Sequence, residues 1–206
     1  GADAVYDHLR ADTEYQRKCV RFIENHDEPR ASQTFSTEAW HLAAATVIST
    51  VPGLALFHEG QLMGWKTRLP VQLHRRPIEV GSPNAMFFYR KLLSILSHPV
   101  FREGEWKLLH AKAAWHENYT WSNFLASWWF LKDESARLIV VNYAPHVGQC
   151  YVELSLDGIS GSSIEFIDLI GGSSYVRERT ALVSRGMYFD LPPYGVHVFE
   201  VAEHKP

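Results

Sequence analysis

The character of the chain changes near residue 105, and that change limits its fold more than any other feature. Before it, strand-like runs alternate with long helical runs; after it, short strands and turns follow one another without a helix. Alternating strand and helix calls for a parallel sheet with helices packed on it, whereas consecutive short strands read as antiparallel sheet. The expected fold class is α/β plus all-β, divided into residues 1–104 and 105–206.

In the first part, residues 3–18 read as a polar helix and Cys19–Glu24 as a strand. Ser36 or Thr37 stands where a cap is needed for a helix from Glu38 to Thr50, which Pro52-Gly53 ends. Leu54–Phe57 reads as a second strand. A long loop with Pro70, Pro77, Gly81 and Pro83 follows, then a helix over 84–97 whose apolar face is Met86, Tyr89, Leu92, Leu93 and Leu96. From Trp106 onward about six or seven strands are expected. The clearest are Phe124–Leu131, Ala136–Tyr143, Tyr151–Leu156, Ile164–Ile170 and Val196–Val201. Period-two alternation in Tyr151–Leu156 predicts an antiparallel sandwich strand with one wet face.

Functional residues in parallel α/β units gather at the C-terminal ends of strands. Both strands of the first part end in polar clusters, Glu24-Asn25-His26-Asp27-Glu28 and His58-Glu59-Gly60-Gln61. Such clusters are costly to bury without partners, so they imply a polar, lined site. Asp27 is the foremost candidate for catalytic or binding work; helix capping or a satisfied loop carboxylate is the competing reading. His26 suits a hydrogen bond to a hydroxyl-rich ligand, or a structural place in the loop. Arg30 suits an ion pair with a neighbouring carboxylate, and most such pairs are structural. His58-Glu59 begins like a zinc-protease helix, but no HExxH spacing follows, so no metal and no cofactor is expected. Trp106, Trp115, Trp121, Trp128 and Trp129 offer sugar-stacking faces or, more simply, core. Trp128 and Trp129 are adjacent in a strand and must face opposite sides.

Several function classes drop out. A net charge of −3 leaves no basic excess for phosphates, so no nucleic-acid partner is expected. No apolar run approaches the ~20 residues that span a bilayer. There is no nucleophile elbow, P-loop or dinucleotide fingerprint. Cys19 and Cys150 form no CxxC pair; a disulfide between them stays open.

Phe22-Ile23-Glu24-Asn25-His26-Asp27 resembles the F-x-x-N-H-D motif of the α-amylase family, glycoside hydrolase family 13, which ends the seventh strand of a (β/α)8 barrel. Gly53, Gly60-Gln61 and Gly64 are similar to the pattern of the eighth strand, and the closing Leu191–Val198 segment is similar to the end of domain C. The resemblance covers the whole chain, and the longer stretches around both motifs look like a bacterial branch of the family. It implies the last two β/α units of an incomplete barrel, then an antiparallel β-sandwich. It implies Asp27 as transition-state stabiliser, with His26, Asn25, Arg30, His58 and Glu59 on the substrate side, and an oligosaccharide or α-glucan as substrate. Leu62 stands where many members carry an acid. The nucleophile and general acid of the family belong to earlier strands, so the chain alone is expected to be inactive. Two strands cannot close a barrel, which implies either an upstream barrel segment or a homo-oligomer covering the open sheet. A transglycosylase of the family, or a non-catalytic carbohydrate-binding module, is the alternative. A cytoplasmic location is expected from the bacterial resemblance.

Overall fold

The computed structural model describes residues 1–72, 75–132 and 135–205. The first part contains α1 (Ala2–Leu9), α2 (Thr13–Arg17), β1 (Val20–Arg21), α3 (Ala31–Thr34), α4 (Glu38–Thr50), β2 (Leu54–Ala55), α5 (Pro83–Leu96) and α6 (Val100–Glu103). The second contains β3 (Glu105–Leu109), β4 (Ala111–Lys112), β5 (Phe124–Leu131), β6 (Ser135–Asn142), β7 (Gly148–Val152), β8 (Ser163–Asp168), β9 (Ser174–Glu178), α7 (Arg179–Arg185), β10 (Met187–Leu191) and β11 (Val196–Glu203).

β1 and β2 pair in parallel, Val20 with Leu54 and Arg21 with Ala55. The strand expected over Cys19–Glu24 is thus much shorter, because Glu24 leaves the ladder to meet Arg30, described below. α4 starts where Thr37 accepts the Trp40 N–H and ends before Gly53. Gly53 has φ 119°, and a Cβ there would lie 2.6 Å from the Cys19 carbonyl oxygen, so only glycine lets β2 begin beside β1. α5 is capped by Ser82 with Pro83 in its first turn.

Four further expectations need correction. The single helix over 3–18 is broken, because Asp12 turns to accept the Glu14 and Tyr15 N–H groups and starts a new helix. The buried face of α5 is Ala85, Tyr89, Leu92 and Ile95, while Met86 and Leu93 are exposed; the face is rotated from the one expected from the spacing of the large apolar residues. The strand over Tyr151–Leu156 ends at Val152 and begins earlier, at Gly148. A helix, α7, does occur among the later strands.

Two antiparallel sheets dominate the second part, one in the order β3-β5-β6-β11-β8-β9 and one in the order β10-β7-β4. Phe124, Ala126, Trp128, Leu138, Val140, Phe166 and Phe199 of the larger sheet share a core with Cys150, Val152, Met187, Phe189 and Leu191 of the smaller. The opposite face of the larger sheet, through Leu125, Trp129, Ile139, Val141 and Val198, packs on Ala2, Leu9, Ala43, Val47, Ile95 and Val100. Its central strands are therefore covered on both sides, which is why β5 is a near-continuous apolar run. Trp128 and Trp129 divide accordingly between the two layers. Trp129 is buried against the helices, with Nε1 donating to the Thr50 carbonyl at 2.6 Å. Cys19 and Cys150 are free thiols, and burial pushes the Cys150 thiol well up from its ordinary range.

Candidate functional site

Parallel pairing sends the loops after β1 and β2 to the same end of the sheet, where they form one assembly. In the first loop, Asn25 Oδ1 accepts the N–H groups of Asp27 at 2.8 Å and Glu28 at 2.9 Å. This side-chain turn thrusts His26 and Asp27 outward. The two pair at 3.2 Å, both exposed, Asp27 at 77%. Glu24 turns the other way and is fully buried. Its Oε2 accepts the Ala31 N–H at 2.7 Å and its Oε1 forms an ion pair with Arg30 Nη1 at 2.8 Å.

Arg30, 4% exposed, ties the loops together. Besides Glu24 it reaches His58 Nδ1 at 2.6 Å, and its Nη2 donates to the Glu59 carbonyl at 2.8 Å. The second loop can close over the guanidinium only because residue 60 lacks a side chain. Gly60 has φ 90°, and a Cβ would collide with Arg30 Nη2 and the Trp65 ring. Gln61, also buried, accepts the His58 N–H at 3.3 Å through Oε1 and donates through Nε2 to the Tyr89 hydroxyl at 2.9 Å. Tyr89 in turn bonds His41 Nε2 at 2.9 Å, linking this loop to α4 and α5. Burial lowers the His41 pKa to about 4, against a smaller opposing pull from Glu38, and raises the Tyr89 hydroxyl well above its usual value.

A cleft of about 220 Å³ opens at this end, lined by His26, Arg30, His58, Glu59, Trp65 and Arg76 among others. Arg76 lies over the Trp65 ring, 3.3 Å from its centroid, and pairs with Glu59 at 3.0 Å. The far side is held by Glu79, which accepts the N–H groups of Lys66 and Thr67. Burial opposes its ionisation, yet these bonds hold its carboxyl below the usual range.

His26, Arg30, His58 and Glu59 thus meet in one cleft, as their places in the sequence suggest. Asp27 pairs with His26 beside it, and Asn25 shapes the loop. Arg30 lines the cleft, and its side chain is engaged on Glu24, His58 and the Glu59 carbonyl, so it also joins the loops. Glu24, Trp65, Arg76 and Glu79 do not stand out in the sequence. The available signal for Glu24 is an acid at the end of the expected strand with an arginine six positions on. Among the described residues no three His, Cys, Asp or Glu side chains are grouped to hold a metal ion, and no helix is long and apolar enough to cross a membrane.

Solved structures similar to this chain include several α-amylases. The chain is similar to a noncanonic maltogenic α-amylase from Thermotoga neapolitana, at 18% identity and TM-score 0.64 over 88% of this chain and 40% of that one. It is similar to an α-amylase from Anoxybacillus at 16% identity and TM-score 0.68, over 98% of this chain and 42% of that one. A third is the α-amylase from Geobacillus thermoleovorans complexed with acarbose, at 14% identity and TM-score 0.69, covering 98% and 43%. The chain therefore has the mixed helix-and-sheet fold of the C-terminal region of these α-amylases and spans less than half their length. No protein-family model and no curated protein sequence matches it.

Proposed function

We propose that the chain is the C-terminal part of a retaining glycoside hydrolase of the α-amylase family, acting on α-glucans. In this reading β1 and β2 are the last two strands of a (β/α)8 barrel, residues 1–104 belong to that barrel, and residues from 105 onward form the β-sandwich domain C. The observation that carries it is the parallel register of Val20 with Leu54. From it, the loops bearing His26, Asp27, His58 and Glu59 meet at the strand ends where such barrels hold their sites.

Asp27 is the transition-state stabiliser. A retaining glycosidase passes through an oxocarbenium-like transition state, and hydroxyl contacts that strengthen there lower the barrier. An ionised carboxylate gripping ring hydroxyls, with His26 and His58 contributing hydrogen bonds, does this without attacking the sugar. Nucleophile and general acid, two carboxyl groups roughly 5 Å apart across the bond, come from a longer polypeptide corresponding to the part of the α-amylases that this chain does not span. The same polypeptide covers the open face of the β1–β2 pair, where Val20, Phe22, Leu54 and Leu56 are exposed. The chain alone is inactive.

A carbohydrate-binding module acting through the five tryptophans named above is disfavoured, because Trp106, Trp128 and Trp129 are buried and Trp121 packs on the core, which leaves Trp115 alone of the five exposed. The test is an assay on maltooligosaccharides. The 206-residue chain is expected to show no turnover. In the full-length parent, Asp27→Asn is expected to lower kcat on the order of 10²–10³-fold. Turnover by the chain alone, or a parent indifferent to Asp27→Asn, refutes the reading. Product analysis with an added acceptor sugar separates hydrolysis from transglycosylation.

A further inference from the structure

Of the described carboxylates in the two strand-end clusters, only Glu24 is withdrawn from water, and it faces no part of the cleft directly. Its Oε1 lies 2.8 Å from Arg30 Nη1 and 3.3 Å from His58 Nδ1, while Arg30 Nη1 and His58 Nδ1 are 2.6 Å apart. Arginine has donors only. The 2.6 Å contact is a hydrogen bond only with His58 Nδ1 accepting, and the 3.3 Å contact with Glu24 only with Nδ1 donating; the shorter one decides, and Nδ1 and Glu24 Oε1 then face the same guanidinium nitrogen as two acceptors. With Nδ1 accepting, the ring hydrogen sits on Nε2, the nitrogen on the far side of the ring from the buried carboxylate. The backbone of His58 is held as well, its N–H donating to Gln61 Oε1.

We propose that Glu24 is a positioning residue. Through Arg30 it fixes His58 with its hydrogen on Nε2, so that the cleft presents a hydrogen-bond donor to a ligand oxygen. A carboxylate in that place orients the guanidinium together with the Glu59 carbonyl, which accepts from Nη2; without Glu24 that carbonyl is the one remaining described anchor of the fork beside the ring. That the oxygen is a sugar hydroxyl rests on the function proposed above; the tautomer does not.

The direct test is long-range proton–nitrogen correlation of the imidazoles in the ¹⁵N-labelled chain, with His58 assigned through His58→Gln. The expected pattern is a bare Nδ1 and a protonated Nε2. In Glu24→Gln the two nitrogen shifts are expected to move toward each other as both tautomers become populated. A wild-type Nδ1–H tautomer, or a pattern unchanged by Glu24→Gln, overturns the proposal. If Glu24→Gln does not fold, Arg30→Lys serves instead. It keeps a charge opposite Glu24 but lacks the fork that spans Glu24, His58 and the Glu59 carbonyl. Convergence of the shifts is again expected, and their retention overturns the proposal.

In the full-length parent, Glu24→Gln is expected to lower kcat/KM on the order of tenfold, the worth of one well-placed hydrogen bond. It should cost nothing further in a His58→Gln background. Fully multiplicative losses overturn the positioning role. A wild-type parent without glycosidase activity sinks the functional reading alone and leaves the nitrogen shifts to decide the tautomer.

Discussion

Leu54 is the most informative place to perturb the open face of the parallel pair. Val20 and Leu54 are register partners, and Phe22 and Leu56, two residues on, point the same way. Ile23 and Phe57 point oppositely and pack on the cluster that includes Leu42, Tyr89 and Leu92. Val20, Phe22, Leu54 and Leu56 are 54, 42, 63 and 38% exposed. Together they expose the equivalent of about two whole apolar side chains, so a cover excluding water from them gains about 3–6 kcal/mol. In the 206-residue chain, Leu54→Lys replaces a side chain already mostly in water. Its cost is within about 0.5 kcal/mol, a Tm change of about 1–2 °C. Binding of a hydrophobic dye by the chain should fall. In the full-length parent the same substitution traps an ammonium group beneath the cover, and a loss of about 3 kcal/mol or more is expected. Thermal melts of both proteins, wild type and variant, make the comparison. If Leu54→Lys makes the chain alone melt far lower, the position is buried already; if the parent tolerates it, no cover lies there. Either result refutes the open-face argument.

Trp129→Phe keeps most of the ring's burial but removes the donor to Thr50, leaving a buried carbonyl without its bond. The expected loss is about 1–3 kcal/mol, read as a fall of about 2–12 °C in Tm; a shift under about 1 °C on this scale would deny the bond any role. His41 gives a pH dependence. Its pKa falls from 6.5 unfolded to about 4 folded. Between those values the unfolded chain binds the extra proton, so the stability from neutral His41 is whole above the unfolded value and drains as pH falls toward the folded one. The total is on the order of 3 kcal/mol. Denaturant melts between these limits should show this slope, and His41→Gln should flatten it.

Legibility in the sequence tracks how local the determinant is. The cap of α4 and the run of β5 depend on residues within a few positions, and these are readable. The two polar clusters are readable as strand ends for the same reason. What escapes needs a partner from elsewhere. Glu24 looks like one more surface acid until Arg30, His58 and the Ala31 N–H are seen around it. Its inward turn is also what cuts β1 to two residues. The face of α5 is misjudged from sequence because Met86 and Leu93 attract attention by size and spacing, whereas the space beside Leu42 and Ala45 of α4 decides which face is buried. Trp65 and Arg76 stand eleven positions apart in a loop without periodicity, and nothing in the sequence pairs them.

Two residue pairs of parallel ladder cannot by themselves hold two loops at a fixed distance, so the precision of the site has to come from elsewhere. Part of it is the Glu24–Arg30 pair, whose disruption on one side would cost about 3–5 kcal/mol because the other charge stays buried. The rest comes from the sheets. α4, which leads into β2, is pinned at its end by Trp129 through Thr50, and at its start by Trp40 stacked on Tyr194 with centroids 5.4 Å apart. α5 is pinned by Lys91, which donates to the Ile170 carbonyl at 2.7 Å. Tyr194 takes φ 54°, a left-handed backbone unusual for a residue with a side chain. The turn that carries it is secured by Asn142, whose Nδ2 donates to the Leu191 and Pro192 carbonyls. The six-stranded sheet is thus the base on which the helices behind the strand-end loops are set. Separating residues 1–104 from it would expose Trp129, Ile139 and Val198 on one side and Ala43 and Val47 on the other, and the cleft would lose its geometry along with the helices that frame it.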